Sequence, residues 1–285
     1  MVKLKMIILL ILLIPSSLFS EKTYLDSNKE RVRFKEPPEK VIVTSPEVQE
    51  IFAELNVQDR IIANVQYCDF PEELKKLPKV GDFKDPNIEK IMKLEPDLVI
   101  LTDHVQGGTV ATLSKLKIKV FTVYIKSINE LKYFIKVFGK MFEKIRTAKD
   151  LIKKIDQELK QLKIPVPSQK KVVFPLLWSQ PLMTAGSGTL IDHIIQVAGG
   201  INLSGEAHRA GKGYYTINKE FLLDHKPDYI LVCDPKVEVK ENLKFLFKKY
   251  KDISIITNIH PDLLTRGGPR LIQGIKQLNR IIYKE

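Results

Sequence analysis

Glycine loops, nucleophiles and metal-ligand clusters are the first places to look for chemistry, and here each falls short of its requirement. The run from Gly205 to Gly213 has a superficial likeness to a phosphate loop. Five residues rather than four separate Gly205 from Gly211, however, and Gly213 follows Lys212 where a serine or threonine would hold magnesium. Gly186-Ser187-Gly188 lacks the spacing of a nucleophile elbow, and no local pattern ties a serine, a histidine and an acid into a triad. His104, His193, His208, His225 and His260 never fall at close ligand spacing. His193 lies among Ile191, Ile194 and Ile195, and His225 falls at a helix end, where partial positive charge suits the dipole, so both read as structural or solvated. Cys68 and Cys233 are far apart, with no other cysteine or histidine at metal-ligand spacing, so neither a zinc site nor a redox pair is expected. An exported hydrolase would need a nucleophile and a base within hydrogen-bond reach, and no motif supplies them. The chain reads as a binder and not as an enzyme.

The elements that must position a binding site follow from composition and periodicity. At 285 residues, 44% hydrophobic and 28% charged, with 14 Gly and 16 Pro, the chain is neither disordered nor a low-complexity repeat. Lys3 and Lys5 precede an apolar run from Met6 to Ile14, then Pro15 to Ser20, then charged Glu21-Lys22. Residues 1–20 therefore read as a secretory signal peptide, the run being shorter than the about 20 residues a bilayer span takes. The junction carries no cysteine for a lipid anchor, so the expected product is a soluble periplasmic protein with the leader removed. Forty-six Lys and Arg against 34 Asp and Glu give a net charge of +12, and loss of Lys3 and Lys5 leaves +10. The lysines are scattered along helices and form no stripe with interleaved aromatics, which argues for a solvated surface and against nucleic acid. An interaction module would instead predict an exposed apolar patch.

Val41–Thr44 reads as a buried strand, and Ser45-Pro46 then starts a helix with Val48, Ile51, Phe52 and Leu55 at helical spacing. Strands at 61–65, 98–101 and 120–123 follow, with helices carrying Ile88 to Leu94 and Ile128 to Phe138 between and after them. From Arg146 to Lys163 the positions Leu151, Ile152, Ile155, Leu159 and Leu162 share one face, which predicts a single helix of ~27 Å. A second series begins at Val172 and continues through the helix Leu190 to Ala198 and strands near 229–232 and 253–256. Both halves set Pro-Asp between a helix end and a buried strand, at Pro96-Asp97 and Pro227-Asp228. Alternation without tight hairpin signals predicts the α/β class: two Rossmann-like lobes joined by one long helix. The expected division is leader 1–20, first lobe 21–142, linking helix and turn 143–168, and second lobe 169–285. Two lobes make a cleft, where ligands usually bind.

The segment Tyr67-Cys68-Asp69-Phe70-Pro71, then Leu77-Pro78-Lys79-Val80-Gly81, then Pro86 through Glu89 to Pro96-Asp97, resembles the class III periplasmic solute-binding proteins of ABC importers for cobalamin, ferric siderophores and haem. Ala198-Gly199-Gly200-Ile201-Asn202, Thr216 to Glu220 and Gly267-Gly268-Pro269-Arg270 extend the likeness over nearly the whole chain after the leader. The resemblance implies a monomer that grips its ligand between lobes with only a modest hinge. It also implies that Glu89 and Glu220 dock onto arginines of the transporter's transmembrane subunits.

The same resemblance, closest to cobalamin-binding members, places Tyr67, Phe83 and Tyr214 in an aromatic pocket and matches Asp262 and Arg266 to a polar pair. Trp178 and Tyr215 join them as rings near strand ends, since rigid aromatics pack a bulky planar ligand at low entropy cost. No cofactor of its own is expected. Cobalamin is the expected cargo, because its amide-fringed corrin uses both a donor fork and an acceptor. A ferric siderophore served by Arg209, Lys212, Arg266 and Arg270 is the alternative, and haem bound through His104, His208, His260 or a tyrosine is the third reading.

Overall fold

The computed structural model describes residues 21–163, 166, 170–206, 212–234, 236 and 239–283, so the expected leader, His208 and Arg209 lie outside the described residues, as does the side chain of His104. The first lobe opens with β1 (Lys22–Leu25) and β2 (Arg31–Phe34), an antiparallel hairpin that the pattern reading did not anticipate. Asp26 closes its turn by accepting from the N–H groups of Asn28 and Glu30, each at 2.9 Å, and reaches Thr122 Oγ1 at 2.5 Å. The lobe continues through β3 (Val41–Val43), α1 (Pro46–Glu54), β4 (Ile61–Asn64), α2 (Ile88–Lys93), β5 (Leu98–Thr102), α3 (Asp103–Lys115), β6 (Val120–Val123) and α4 (Ile128–Met141). Its four strands form a parallel sheet in the order β4-β3-β5-β6. Every residue of β3 and β5 is buried, as expected of a parallel sheet covered on both faces.

α5 (Ile145–Leu159) joins the lobes and is shorter than the expected 146–163 helix, at 15 residues or ~22 Å. Its apolar periodicity runs on through Leu162, but the buried Asn279 takes the backbone beyond: its Oδ1 accepts from Lys163 N–H at 3.2 Å and its Nδ2 donates to Lys163 O at 2.8 Å. The helix proper ends at Leu159, before the backbone that Asn279 holds at Lys163 and ahead of the breaker Pro165 in the sequence.

The second lobe comprises β7 (Val172–Ser179), β8 (Leu182–Ala185), α6 (Leu190–Val197), β9 (Ile201–Asn202), α7 (Leu203–Glu206), β10 (Tyr214–Thr216), α8 (Lys219–Asp224), β11 (Tyr229–Val232), α9 (Val239–Asn242), α10 (Lys244–Lys249), β12 (Ser254–Ile256), α11 (Asp262–Thr265) and α12 (Leu271–Tyr283). Its sheet is mixed: β9, β11 and β12 run parallel to β7, whereas β8 is antiparallel to both β7 and β10. The sequence showed no tight hairpin, yet one lies at this edge, where the two-residue turn Gln180-Pro181 carries none of the usual Asn-Gly or Asp-Gly hairpin signals.

The repeated Pro-Asp acquires a physical role. Asp97 Oδ2 accepts from the N–H groups of Glu39 and Lys40 at 2.9 and 2.8 Å, and Asp228 Oδ2 accepts from Val172 N–H at 2.8 Å. Each aspartate secures the start of the neighbouring strand. One buried apolar cluster runs through both lobes, with Phe52 and Phe138 in the first, Ile155 in α5, and Ile191, Leu231 and Ile275 in the second. Wide opening of the lobes would expose this shared surface at ~25 cal/mol per Å². No described helix is long and apolar enough to cross a membrane.

Candidate functional site

The carboxyl ends of parallel strands face one edge of each sheet, and the loops that leave that edge are where α/β folds place ligands. From the first lobe these include Ser45-Pro46 after β3, the 65–71 loop after β4 and Tyr124 after β6. The second lobe contributes Trp178 near the end of β7, Cys233 after β11 and the 257–270 segment after β12.

The 65–71 loop is held from beneath. Cys68 is fully buried, its N–H donates to Val65 O at 3.0 Å, and burial pushes its thiol pKa up to about 12, so it serves as an inert anchor. The buried Asn64 donates to Gln49 Oε1 at 2.7 Å and Leu74 O at 3.0 Å, while Gln49 donates to Phe70 O at 2.8 Å. With Cys68 turned inward, Tyr67 stands 57% exposed, and Asp69 and Phe70 remain partly accessible. Gln106 accepts from Thr44 Oγ1 at 2.8 Å and donates to Phe83 O, fixing the loop that carries Phe83. Phe83 itself is half-buried against the first lobe's second apolar cluster.

In the second lobe Trp178 is 45% exposed and its indole N–H donates to Gln180 O at 2.8 Å. Tyr214 is 43% exposed. Desolvation raises its phenol pKa to about 12, with lesser contributions from Tyr124 of the opposite lobe and from Cys233. Adjacent Tyr215 behaves differently: its hydroxyl donates to Ser204 O at 2.8 Å, anchoring β10 to its own lobe. Strand alternation sends the two rings to opposite faces, so Tyr215 separates from the exposed aromatic set.

The expected polar pair has a third member. Arg266 lies 3.1 Å from Asp262 Oδ2 on its own lobe and donates to Asp69 Oδ1 at 2.7 Å on the other. Burial works to raise the Asp69 pKa, but the hydrogen bond and charge of Arg266 prevail and hold it below its ordinary range. Beside it Arg270 donates to Glu50 Oε1 at 2.7 Å and stacks 3.8 Å above the Phe70 ring, so this loop straps the lobes together. The two glycines make that approach possible, because a Cβ on Gly268 would overlap the Glu50 carboxylate and one on Gly267 would fall 2.7 Å from Ile125 Cβ. Elsewhere on the seam His193 Nε2 accepts from Ile128 N–H at 3.1 Å. The Asp262 and Arg266 spacing alone did not disclose Asp69 or Glu50 as members of the seam, since they lie 197 and 220 positions from the arginines they meet.

Glu89 and Glu220 hold equivalent places. Each is exposed in the first turn of a six-residue helix, behind Asn87 and Asn218, whose side chains accept from the N–H groups of Lys90 and Phe221. A carboxylate there is favoured by the helix dipole. Among the described residues no group of three or more His, Cys, Asp or Glu side chains is placed to hold a metal ion. A recess of about 890 Å³ lies at the amino ends of the first sheet, lined by Phe34, Pro38, Arg60, Asp97 and Lys119. It faces away from the rings and belongs to the opposite edge.

The family model described as "Periplasmic binding protein" matches residues 41–249. An uncharacterized ABC transporter substrate-binding lipoprotein of Bacillus subtilis is 27% identical over 277 residues, covering 91% of this chain and 85% of that protein. A vitamin B12-binding protein of Yersinia pestis is 24% identical over 245 residues, covering 84% and 85%. The crystal structure of a periplasmic haem-binding protein of Vibrio cholerae superposes with a TM-score of 0.74 at 21% identity, covering 86% of this chain and 98% of its own.

Proposed function

Because this chain belongs to the periplasmic binding protein family, we propose that it captures cobalamin between its lobes and delivers it to the transmembrane subunits of an ABC importer. It is a substrate-binding protein for transport and not an enzyme. In this reading residues 1–20 are a removed leader and the mature protein is a periplasmic monomer. Its lobes are 21–142 and 169–285, on either side of the linking segment 143–168. Glu89 and Glu220 are its transporter contacts, a role supported by their matched exposure on matched helices.

One observation carries the choice of cargo: exposed rings stand on both lobes while the guanidiniums between them are already committed. Tyr67, Trp178 and Tyr214 offer flat apolar surface, with Phe83 half-buried behind them. Arg266 and Arg270 are engaged by Asp69, Asp262 and Glu50, which leaves neither as an open fork for an anionic siderophore. A corrin presents broad faces with neutral amides at its rim and suits such a cleft. The vitamin B12-binding relative points the same way. Haem is the second reading, favoured by the structural likeness to a haem-binding protein and by exposed Tyr67 and His260 as candidate axial ligands.

The test is a titration with cyanocobalamin, haem and a ferric siderophore, followed through the fluorescence of Trp178, the chain's single tryptophan, and by thermal shift. Cobalamin should quench the tryptophan and stabilise the fold by ~2.7 kcal/mol at a hundredfold excess over Kd. No response to cobalamin with a clear response to either alternative would transfer the cargo to that ligand.

A further inference from the structure

Glu47 is an acid in the first turn of α1, at the strand-end edge, that takes no part in the strap. Pro46 opens α1 directly after β3, and Glu47 and Glu50, one turn apart, lie on the same side of the helix. Glu50 is covered by Arg270 and Gly268, so the second lobe's loop sits on this side of α1, with Glu47 half-buried in the turn nearest the strand ends. Arg266 is close enough for its charge to act on Glu47 but is committed to Asp69 and Asp262. Among the described residues no cation stands within ion-pair distance of the Glu47 carboxyl.

The seam therefore holds four acids, Glu47, Glu50, Asp69 and Asp262, against two guanidiniums, Arg266 and Arg270. Burial pushes the Glu47 pKa upward. Its own backbone N–H and the hydroxyl of buried Ser45 oppose that, Glu50 adds to it, and Arg266 offsets part. A carboxyl in this position suits an amide in either protonation state, accepting from its N–H when ionised and donating to its carbonyl when protonated. It repels a carboxylate or catecholate unless it first takes up a proton.

We propose that Glu47 is a specificity residue of the cleft, selecting neutral or cationic metal chelates over anionic ones. The inference rests on the reading that the cleft holds a metal chelate, but it does not require that chelate to be cobalamin.

The test measures a ratio. Wild type, Glu47→Gln and Glu47→Ala are titrated at pH 7.5 with cyanocobalamin and a neutral ferric hydroxamate, and with haem and a ferric tris-catecholate as the anionic probes. Glu54→Gln, which removes the same charge from the exposed far end of α1, is the control. Both Glu47 variants should shift preference toward the anionic probes by about tenfold or more, as expected for relief of a like-charge contact in a desolvated site. The control should not shift. An unmoved ratio in both Glu47 variants overturns the proposal, and so does a wild type that prefers the anionic probes or binds none of the four. If wild type refuses cyanocobalamin yet takes the hydroxamate, the cobalamin reading falls. The Glu47 ratio is then read between the two ferric chelates and still decides.

Discussion

Removing Arg270 should destabilise the protein by ~3–5 kcal/mol, the usual cost of stranding one partner of a buried ion pair. Its partner Glu50 is 2% exposed, and the two meet at 2.7 Å across the lobe boundary. Arg270→Met keeps much of the packing over Phe70 while leaving the carboxylate uncompensated. At 2–4 °C per kcal/mol for a chain of this size, the melting temperature should fall by roughly 6–20 °C at pH 7.5. The pH dependence has a defined sign. The Glu50 pKa is raised already, because burial outweighs the hydrogen bond and charge of Arg270. A carboxyl whose folded pKa exceeds its unfolded value, about 4.3, contributes fully below that value and loses the contribution as pH rises through the folded pKa. Loss of Arg270 raises the folded pKa further, so the deficit should be greatest at pH 7.5 and should shrink as the pH is lowered and Glu50 takes up a proton. Glu50→Gln combined with Arg270→Met should recover most of the lost stability, since no buried charge then remains. Thermal and denaturant unfolding of the single and double variants at pH 7.5 and at lower pH is the assay. A single variant within about 1 kcal/mol of wild type at pH 7.5, or a double variant as unstable as the single, refutes the role assigned to the pair.

Reversing both Glu89 and Glu220 to Lys should abolish uptake while the purified protein keeps its ligand titration midpoint, because attraction to the transporter's cations becomes repulsion; uptake that survives would remove the docking assignment. Tyr67→Ala and Tyr214→Ala should each weaken ligand binding by ~1–3 kcal/mol through lost apolar contact. Tyr215→Phe should instead cost about 1 kcal/mol of stability through the lost bond to Ser204, with little change in binding, and the opposite pattern would return Tyr215 to the pocket. His193 accepts from Ile128 N–H as a neutral ring, and burial holds its pKa below the ordinary value. The unfolded chain then takes the proton first, so its contribution is complete above about pH 6.5 and is lost as pH falls toward the folded pKa. Relative to His193→Gln, which retains an acceptor, wild-type stability should decline from pH 7 to pH 5, and a constant difference would exclude the effect.

Legibility in the sequence tracked how local the deciding interaction is. Leu98–Leu101 reads as a strand because four consecutive apolar residues between Pro96-Asp97 and a helix have few other uses, and β5 occupies 98–102. The β1–β2 hairpin was hidden because its buried residues, Tyr24, Val32 and Phe34, are few, while Leu25 remains 41% exposed and blurs the alternation. The linking helix was read too long because the apolar periodicity continues through Leu162, whereas the helix ends at Leu159 and the chain beyond it is held at Lys163 by Asn279, 116 positions away.

The site divides along the same line. Tyr67 and Tyr214 were legible as rings beside strand-end loops, but what the arginines do depended on acids 197 and 220 positions away. Asp262 and Arg266, four apart, look like a fork presented to a ligand. Adding Asp69 turns that fork into part of a strap between lobes, so the pair no longer stands open to a ligand. A free guanidinium would invite an anion, whereas one already satisfied does not; in our proposal the electrostatic preference of the cleft then falls to Glu47, which among the described residues has no cation at ion-pair distance. A basic chain can therefore hold an acid-rich cleft, because the lysines that set the net charge lie mostly on exposed helix surfaces and the site answers only to the charges that desolvation leaves strong.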